Sequence, residues 1–385
     1  MRVLAAFDKF KDSVSAPAAC EAAAVAVAGL GAAWSVDSCP MSDGGEGFAD
    51  ALTRAAGGHT MTATVTGPRG AQTPCSFGVV EAATIPGAAR ELLGLGPAMD
   101  RLAVLDMASA SGLALLKPEL RDPMLASSEG TGELILAAAA GADAILLGVG
   151  GSATSDFGLG AMAAMGIRFV DETGRIIERI VPANWHRLAG IEGTVNVAAP
   201  PIRIACDVDN PLLGPRGAAS VYGPQKGLRP VDGAVLEREG ERIASMVCRH
   251  FGRPRGLAGE KGAGAAGGMA FGLMAATGAR ILPGFELVCS WLDLRARLAC
   301  ADVILTGEGR FDDTSLAGKG PGAVVRMALA LGKKVHLFAG QVSLSSPIPG
   351  LSTHTITPPG MPLAEALACT PALLRASVRE ALVTG

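Results

Sequence analysis

Ile145-Leu146-Leu147-Gly148-Val149-Gly150-Gly151-Ser152-Ala153-Thr154-Ser155-Asp156 is an apolar run that stops in a turn of glycines and hydroxyls and ends on a carboxylate. Glycines take φ > 0 and let a ligand come close to the backbone, and hydroxyls and bare N–H groups bind anions. The rest of the chain repeats the design: short apolar runs that each stop at a Gly/Asp/Ser cluster. Arg2 to Phe7 ends in Asp8-Lys9-Phe10-Lys11-Asp12-Ser13, and Trp34 to Cys39 ends in Met41-Ser42-Asp43-Gly44-Gly45-Glu46-Gly47. Helices are expected after both. Ser15 can cap the first, with Pro17 in its first turn, and the second runs to about Ala56. A β-loop-α-β-loop-α order is the signature of a parallel sheet.

The pattern changes in the middle. Thr60 to Val80 alternates polar and apolar residues around Gly67-Pro68-Arg69-Gly70, which predicts a hairpin. Further strands are expected at Leu102 to Met107, Ile167 to Val170 and Ile202 to Cys206, with a helix from Ser127 to about Ala140. From about Leu287 the β-loop-α pattern returns. A strand over Asp302 to Leu305 leads into a cluster at Thr306 to Ser315, followed by a helix, a strand over Lys334 to Phe338 and a last helix. The fold expected is α/β with two domains. Residues 1–60 and 287–385 form a discontinuous parallel-sheet domain, and residues 61–286 form an inserted, mixed α/β domain.

Composition narrows the function. A chain of 385 residues that is 49% hydrophobic and 4% aromatic can build two packed α/β domains. A net charge of −3 argues against sequence-independent nucleic-acid binding. Eight scattered cysteines without a C-x-x-C pair support neither a zinc ribbon nor a redox motif, and read as buried thiols in a reducing compartment. The amino end lacks a signal h-region, and the uncharged window from Gly262 to Ala279 is too rich in Gly and Ala for a membrane span. A cytoplasmic protein is expected.

In open parallel sheets, ligands bind beyond the carboxyl ends of the strands. Six expected strand ends carry charge or glycine: Asp8/Lys11, Asp43/Glu46, Asp106, Gly148 to Asp156, Asp207/Asp209 and Glu308/Arg310. Carboxylates beside glycine turns and a few lysines suit a magnesium-bound phosphoryl donor. No Walker A motif is present, since Gly318-Lys319 lacks the upstream glycine and the following Ser/Thr. A competing reading takes Gly148-x-Gly150-x-x-Ala153, with Asp171 ending the next strand, as a dinucleotide site of a nicotinamide-dependent hydroxy-acid dehydrogenase. A non-catalytic anion-binding regulator is the third. The five histidines, at 59, 186, 250, 336 and 354, lie outside the clusters, so a His-based triad or zinc site is not expected.

In this order, the clusters resemble the type I glycerate kinase family. The resemblance runs from residue 3 to about residue 340. It rests on Asp8 to Ala16, Met41 to Gly47, the opening stretch, Asp207-Val208-Asp209-Asn210-Pro211-Leu212-Leu213-Gly214, Gly223-Pro224-Gln225-Lys226-Gly227, and Thr306-Gly307-Glu308-Gly309-Arg310 followed by Asp312. Lys9, Glu129, Phe157 and Thr314 depart from the family's pattern.

The resemblance implies phosphoryl transfer from ATP, with Mg²⁺, to a hydroxyl of D-glycerate, giving 2-phosphoglycerate. It also implies two α/β domains, one discontinuous, with the site in the cleft between them. Under this reading Lys11 and Arg310 offset phosphoryl charge or hold the glycerate carboxylate, with Lys226 a further candidate. Asp8, Asp43 and Asp207 are candidates for base or metal ligand, Asp207 being favoured as base and Asp43 as metal or positioning residue. Gly148, Gly150, Gly151, Ser152 and Thr154 cradle phosphates. Asp209, Asn210, Glu308 and Asp312 hold substrate, with Glu308 also a metal candidate. Glycerate is the expected partner, with neither nucleic acid nor membrane; a homo-oligomer stays open.

Overall fold

The computed structural model describes residues 1–42, 44–195, 200–318 and 320–384. Asp43, and Lys319 of the Gly-Lys pair, lie outside them. The chain divides into two compact units, Met1–Asp43 with Val288–Gly385, and Gly44–Leu287.

The first unit opens with β1 (Arg2–Phe7), α1 (Ala16–Ala28) and β2 (Ser35–Ser38). β1 is buried from Val3 to Phe7, as a strand covered on both faces must be. α1 begins where its cap dictates: Ser15 Oγ accepts the Ala18 N–H at 3.4 Å. Pro17 sits in the first turn, where a missing N–H costs nothing.

The second unit carries α2 (Phe48–Ala55), β3 (His59–Thr66), β4 (Gln72–Glu81), α3 (Gly87–Leu93), β5 (Arg101–Asp106), α4 (Met107–Ser111), α5 (Glu129–Ala139), β6 (Ala144–Gly148) and α6 (Leu159–Ala164). It continues through β7 (Arg168–Val170), β8 (Gly190–Glu192), β9 (Ile202–Cys206), α7 (Ala218–Tyr222), α8 (Pro230–His250), α9 (Ala265–Thr277), β10 (Arg280–Pro283) and the start of α10 (Gly284–Trp291). Its main sheet has the order β10-β9-β6-β5-β4-β3. β10, β9, β6 and β5 run parallel, and the β3–β4 hairpin adds antiparallel strands at one edge.

The boundary expected near residue 60 falls inside this unit. α2 belongs here because the Asp106 carboxylate, at the end of β5, accepts the N–H groups of Gly47 at 3.0 Å and Ala49 at 2.8 Å. It thereby caps a helix whose own Gly47 has no side chain to do so. α8, which no strand-end cluster announces, buries Leu236, Gly240, Ile243, Ala244, Val247 and Cys248, one face at helical spacing.

The chain then returns to the first unit with α11 (Leu294–Cys300), β11 (Val303–Asp312), α12 (Asp313–Ala317), α13 (Pro321–Ala330), β12 (Lys334–Ser343), β13 (Leu351–Thr355) and α14 (Leu363–Thr384). The five-stranded sheet has the order β13-β12-β11-β1-β2 and every pairing is parallel. α1 and α14 pack together on one face, and α11 and α13 meet β1 and β11 from elsewhere in the unit. This is the discontinuous parallel-sheet domain expected, with a mixed α/β domain inserted. The expected strand at Asp302 to Leu305 is longer than its apolar run: β11 continues through Thr306 to Asp312, paired to β12 as far as Asp312↔Ser343. No helix among the described residues is long and apolar enough to cross a membrane.

Candidate active site

In the first unit the strand order, numbered along the chain, is 2-1-3-4-5. In such a sheet the order of strands reverses between its first and third strands, here β1 and β11, and ligands bind outside that point. β1 stops pairing at Phe7↔Gly307, and β11 runs past it. The segment from Asp8 to Lys11 therefore lies beside Glu308 to Arg310 at the carboxyl end of the sheet. The Asp8 N–H donates to Gly307 O at 3.0 Å, and Asp8 Oδ1 accepts the Lys9 N–H at 2.7 Å.

The chain then folds into a hook. Phe10 and Val14 exchange backbone hydrogen bonds of 2.8 and 3.0 Å, and Asp12 takes a left-handed φ of 60°. Buried Phe10 pins the hook, with its ring 6.4 Å from that of Phe7, and Lys11 is left exposed. Gly309 lets the hook approach: a Cβ there would lie 3.2 Å from the Lys11 nitrogen. Arg310 is exposed and has Nε 3.8 Å from Asp312 Oδ2. Asp312 Oδ1 is committed to capping α12, accepting the N–H groups of Thr314 and Ser315 and the Thr314 hydroxyl. These bonds, the Thr314 hydroxyl first, hold the Asp312 carboxyl below its usual range. That role as a helix cap narrows its expected one in substrate binding.

In the second unit the parallel strands end in Asp106, Gly148 and Cys206-Asp207. Asp207 Oδ2 accepts the Phe285 N–H at 2.7 Å and so caps α10. Asp209 is exposed, 3.6 Å from Arg216 Nη2. Both ends of the Asn210 amide are used, Nδ2 donating to Arg216 O and Oδ1 accepting from Tyr222 Oη, each at 2.7 Å. Asn210 thus shapes its loop.

The loop after β6 is tied down along its length. The Gly150 N–H donates to Gly44 O at 2.9 Å and the Ala153 N–H to Ser111 O at 2.9 Å. A Cβ on Gly148 would stand 2.6 Å from Gly44 O, and one on Gly150 2.7 Å from Gly45 Cα. These two glycines are required by the close packing of loop on loop. Gly151, with φ +72°, is exposed. Ser152 is buried, with 7% of its surface exposed. Thr154 is fully buried and its hydroxyl has no partner, which removes it from direct contact with a phosphate.

Asp156 is also fully buried. It accepts the Ser128 N–H at 2.7 Å, the Ser128 hydroxyl at 2.8 Å, and the N–H groups of Gly160 and Gly158 at 3.2 and 3.3 Å. Burial pushes its carboxyl up, against the pull of those bonds. It fastens the loop to α5 and α6, at a position where the sequence alone suggests a metal-phosphate site. Lys226, expected as a cofactor ligand, is 3% exposed and donates to Ser152 Oγ at 2.8 Å and Thr154 O at 2.6 Å.

The dinucleotide reading fails on geometry. A dinucleotide fingerprint needs a helix opening at the glycine turn and a parallel strand after it. Here α6 starts at Leu159, and β7 pairs only with β8, antiparallel, outside the main sheet. Asp171 Oδ1 is spent on the N–H groups of Thr173 and Arg175 and the Thr173 hydroxyl.

Among the described residues, no three His, Cys, Asp or Glu side chains form a metal cage. Mg²⁺ asks for less, one or two carboxylates together with phosphate oxygens. Asp8 and Glu308, hard oxygen donors at the carboxyl end of the first unit's sheet, fit that requirement.

Parallel-sheet strand ends that present carboxylates, cations and tight glycine turns are the equipment of phosphoryl transfer. The chain is a phosphotransferase and belongs to the glycerate kinase family, whose model matches residues 3–384. It is 35% identical over 352 residues to a glycerate kinase of Bacillus subtilis (strain 168), covering 90% of this chain and 86% of that one. It is likewise 35% identical over 348 residues to a glycerate 2-kinase of Escherichia coli (strain K12), covering 89% and 86%. A crystal structure of a protein assigned as glycerate kinase 2 from Salmonella typhimurium LT2 superposes with a TM-score of 0.74 at 34% identity, over 100% of this chain and 98% of that one.

Proposed function

We propose that the chain transfers the terminal phosphoryl group of ATP, with Mg²⁺, to D-glycerate and releases ADP and 2-phosphoglycerate. What supports this reading is the switch point of the parallel sheet between β1 and β11, with Asp8 and Lys11 following β1 and Glu308 and Arg310 on β11. Asp8 and Glu308 would hold Mg²⁺, which supplies charge neutralisation on the phosphate oxygens. Lys11 and Arg310 offset the charge of the transferring group or bind the glycerate carboxylate. The glycerate hydroxyl oxygen forms the new P–O bond, the bond to ADP breaks, and the hydroxyl proton passes to a carboxylate, for which Asp207 is the favoured base.

Purified protein given Mg·ATP and D-glycerate should release ADP in step with glycerate loss, and ³¹P NMR should find the phosphate on carbon 2. ADP release no faster than in the glycerate-free control would end the proposal, and phosphate on carbon 3 would correct its product. Asp207→Asn keeps an acceptor for the Phe285 N–H, so the fold should survive while turnover falls by ~10²-fold or more. A near wild-type rate would take Asp207 out of the chemistry.

A further inference from the structure

Lys226 lies in the short turn Pro224–Lys226 and reaches inward to the loop after β6. An ammonium group has donors only. Ser152 Oγ, 2.8 Å from Nζ, is therefore the acceptor of that bond while Lys226 carries its proton. Its own proton has to point elsewhere, and among the described residues it meets no acceptor. The backbone around it is fixed: Gly112 bridges Ser152, and the Leu113 N–H donates to Gly151 O at 2.8 Å. With Lys226 protonated, a hydroxyl held this way is a pure donor beside a buried positive charge, at the carboxyl end of a central parallel strand. That combination selects an anionic oxygen.

Resting on the phosphotransferase reading above, we propose that Lys226 is a positioning residue: it fixes Ser152 as the hydrogen-bond donor to an anionic oxygen of the bound ligand, either a nucleotide phosphate or the acceptor's carboxylate. Burial brings the Lys226 ammonium down to about 7, against the pull of Asp156. A methionine would fill the same space without that desolvation. Simple packing does not call for a charge here, whereas orienting a hydroxyl does.

The test compares wild type, Ser152→Ala, Lys226→Met, Lys226→Arg and the Ser152→Ala/Lys226→Met double variant. It reads kcat and KM for Mg·ATP and D-glycerate, and calorimetric titration with ADP and with D-glycerate. A hydrogen bond to a charged partner is worth ~10- to 100-fold in affinity. Ser152→Ala and Lys226→Met should each raise the same KM by ~10-fold or more, with kcat changed less. Lys226→Met should add nothing in the Ser152→Ala background, and Lys226→Arg, still a pure donor, should recover part of the loss.

A raised KM for ATP with weaker ADP binding assigns the phosphate; a raised KM for glycerate with weaker glycerate binding assigns the carboxylate. Full additivity of the two losses overturns the proposal. So does a Ser152→Ala variant with both KM values and both affinities unchanged, whatever happens to kcat. If Lys226→Met does not fold, Ser152→Ala and Lys226→Arg decide by the same readouts. Absence of glycerate turnover would sink the kinase reading alone, since the titrations still report on Ser152 and Lys226.

Discussion

Phe157 takes a left-handed φ of 57°, a conformation that costs an L-residue about 1–2 kcal/mol, at a position where the resemblance expects glycine. The reason lies in its ring, which is fully buried 4.8 Å from Trp185 and 6.3 Å from Phe271. Space for it is made by glycines on other elements. A Cβ at Gly268 would come within 2.7 Å of the ring and one at Gly240 within 2.9 Å. Packing outweighs the backbone penalty, since emptying a buried Phe site costs about 3–5 kcal/mol. Phe157→Ala should lower unfolding stability by about that amount in urea. Phe157→Gly should lose about 1 kcal/mol less, because it alone relieves the left-handed strain. Equal losses would show that the backbone relaxes when the ring is gone. The Ser15 cap was legible because capping is a local rule. The burial of Asp156 was not: the same Asp in the same turn suits a metal site or a structural knot, and only the position of Ser128 on another element decides between them.

β11 shows why apolar runs alone mark strand ends too early. Gly307-Glu308-Gly309 has the composition of a loop, yet pairing with β12 keeps it extended. Gly307 is there because the strands leave no room for more: a Cβ would stand 1.9 Å from Phe338 O. Gly307→Ala should weaken the β11–β12 ladder by about 1–3 kcal/mol, visible as a lower denaturation midpoint. An unchanged midpoint would mean the ladder gives way at little cost.

β12 and β13 also bring His336 and His354 together, with Nδ1 of the first 3.0 Å from Nε2 of the second and both rings stacked with Phe338. Burial first, then His354 and Lys334, lowers His336 to about 4, and burial lowers His354 against the pull of Glu380. The unfolded imidazole titrates near 6.5, so the unfolded chain binds the proton first. Stability from His336 is full above pH ~6.5 and is lost as pH falls towards ~4. Urea midpoints measured across that window should fall for wild type and stay flatter for His336→Phe. Parallel slopes would assign the acid sensitivity to other groups.

At the scale of the whole chain, the sequence marks both ends as one domain because β-loop-α units appear there and a hairpin pattern appears between them. The crossover point was not legible, since strand order depends on which apolar runs pair across some 300 residues of sequence. Each unit contains a hydrophobic cluster drawn from its own residues. One includes Phe77, Leu105, Leu147, Phe157, Trp185 and Phe271, and the other Phe7, Phe10, Val27, Leu305, Phe338 and Leu374. A unit with its own core can fold alone. Gly44–Leu287 is continuous in sequence, whereas the first unit needs β1 from one chain end and β11 from the other, 300 residues apart by the Val3↔Val303 pair. Residues 44–287 expressed alone should therefore give a dispersed NMR spectrum and a cooperative melt. Residues 288–385 alone lack β1 and β2, which leaves one side of β11, the central strand, unpaired, and should stay unfolded. A cooperative fold for 288–385, or a molten 44–287, would mean that the cores are not the independent units their clusters describe. It would also mean that the insertion is stabilised by the chain on either side of it.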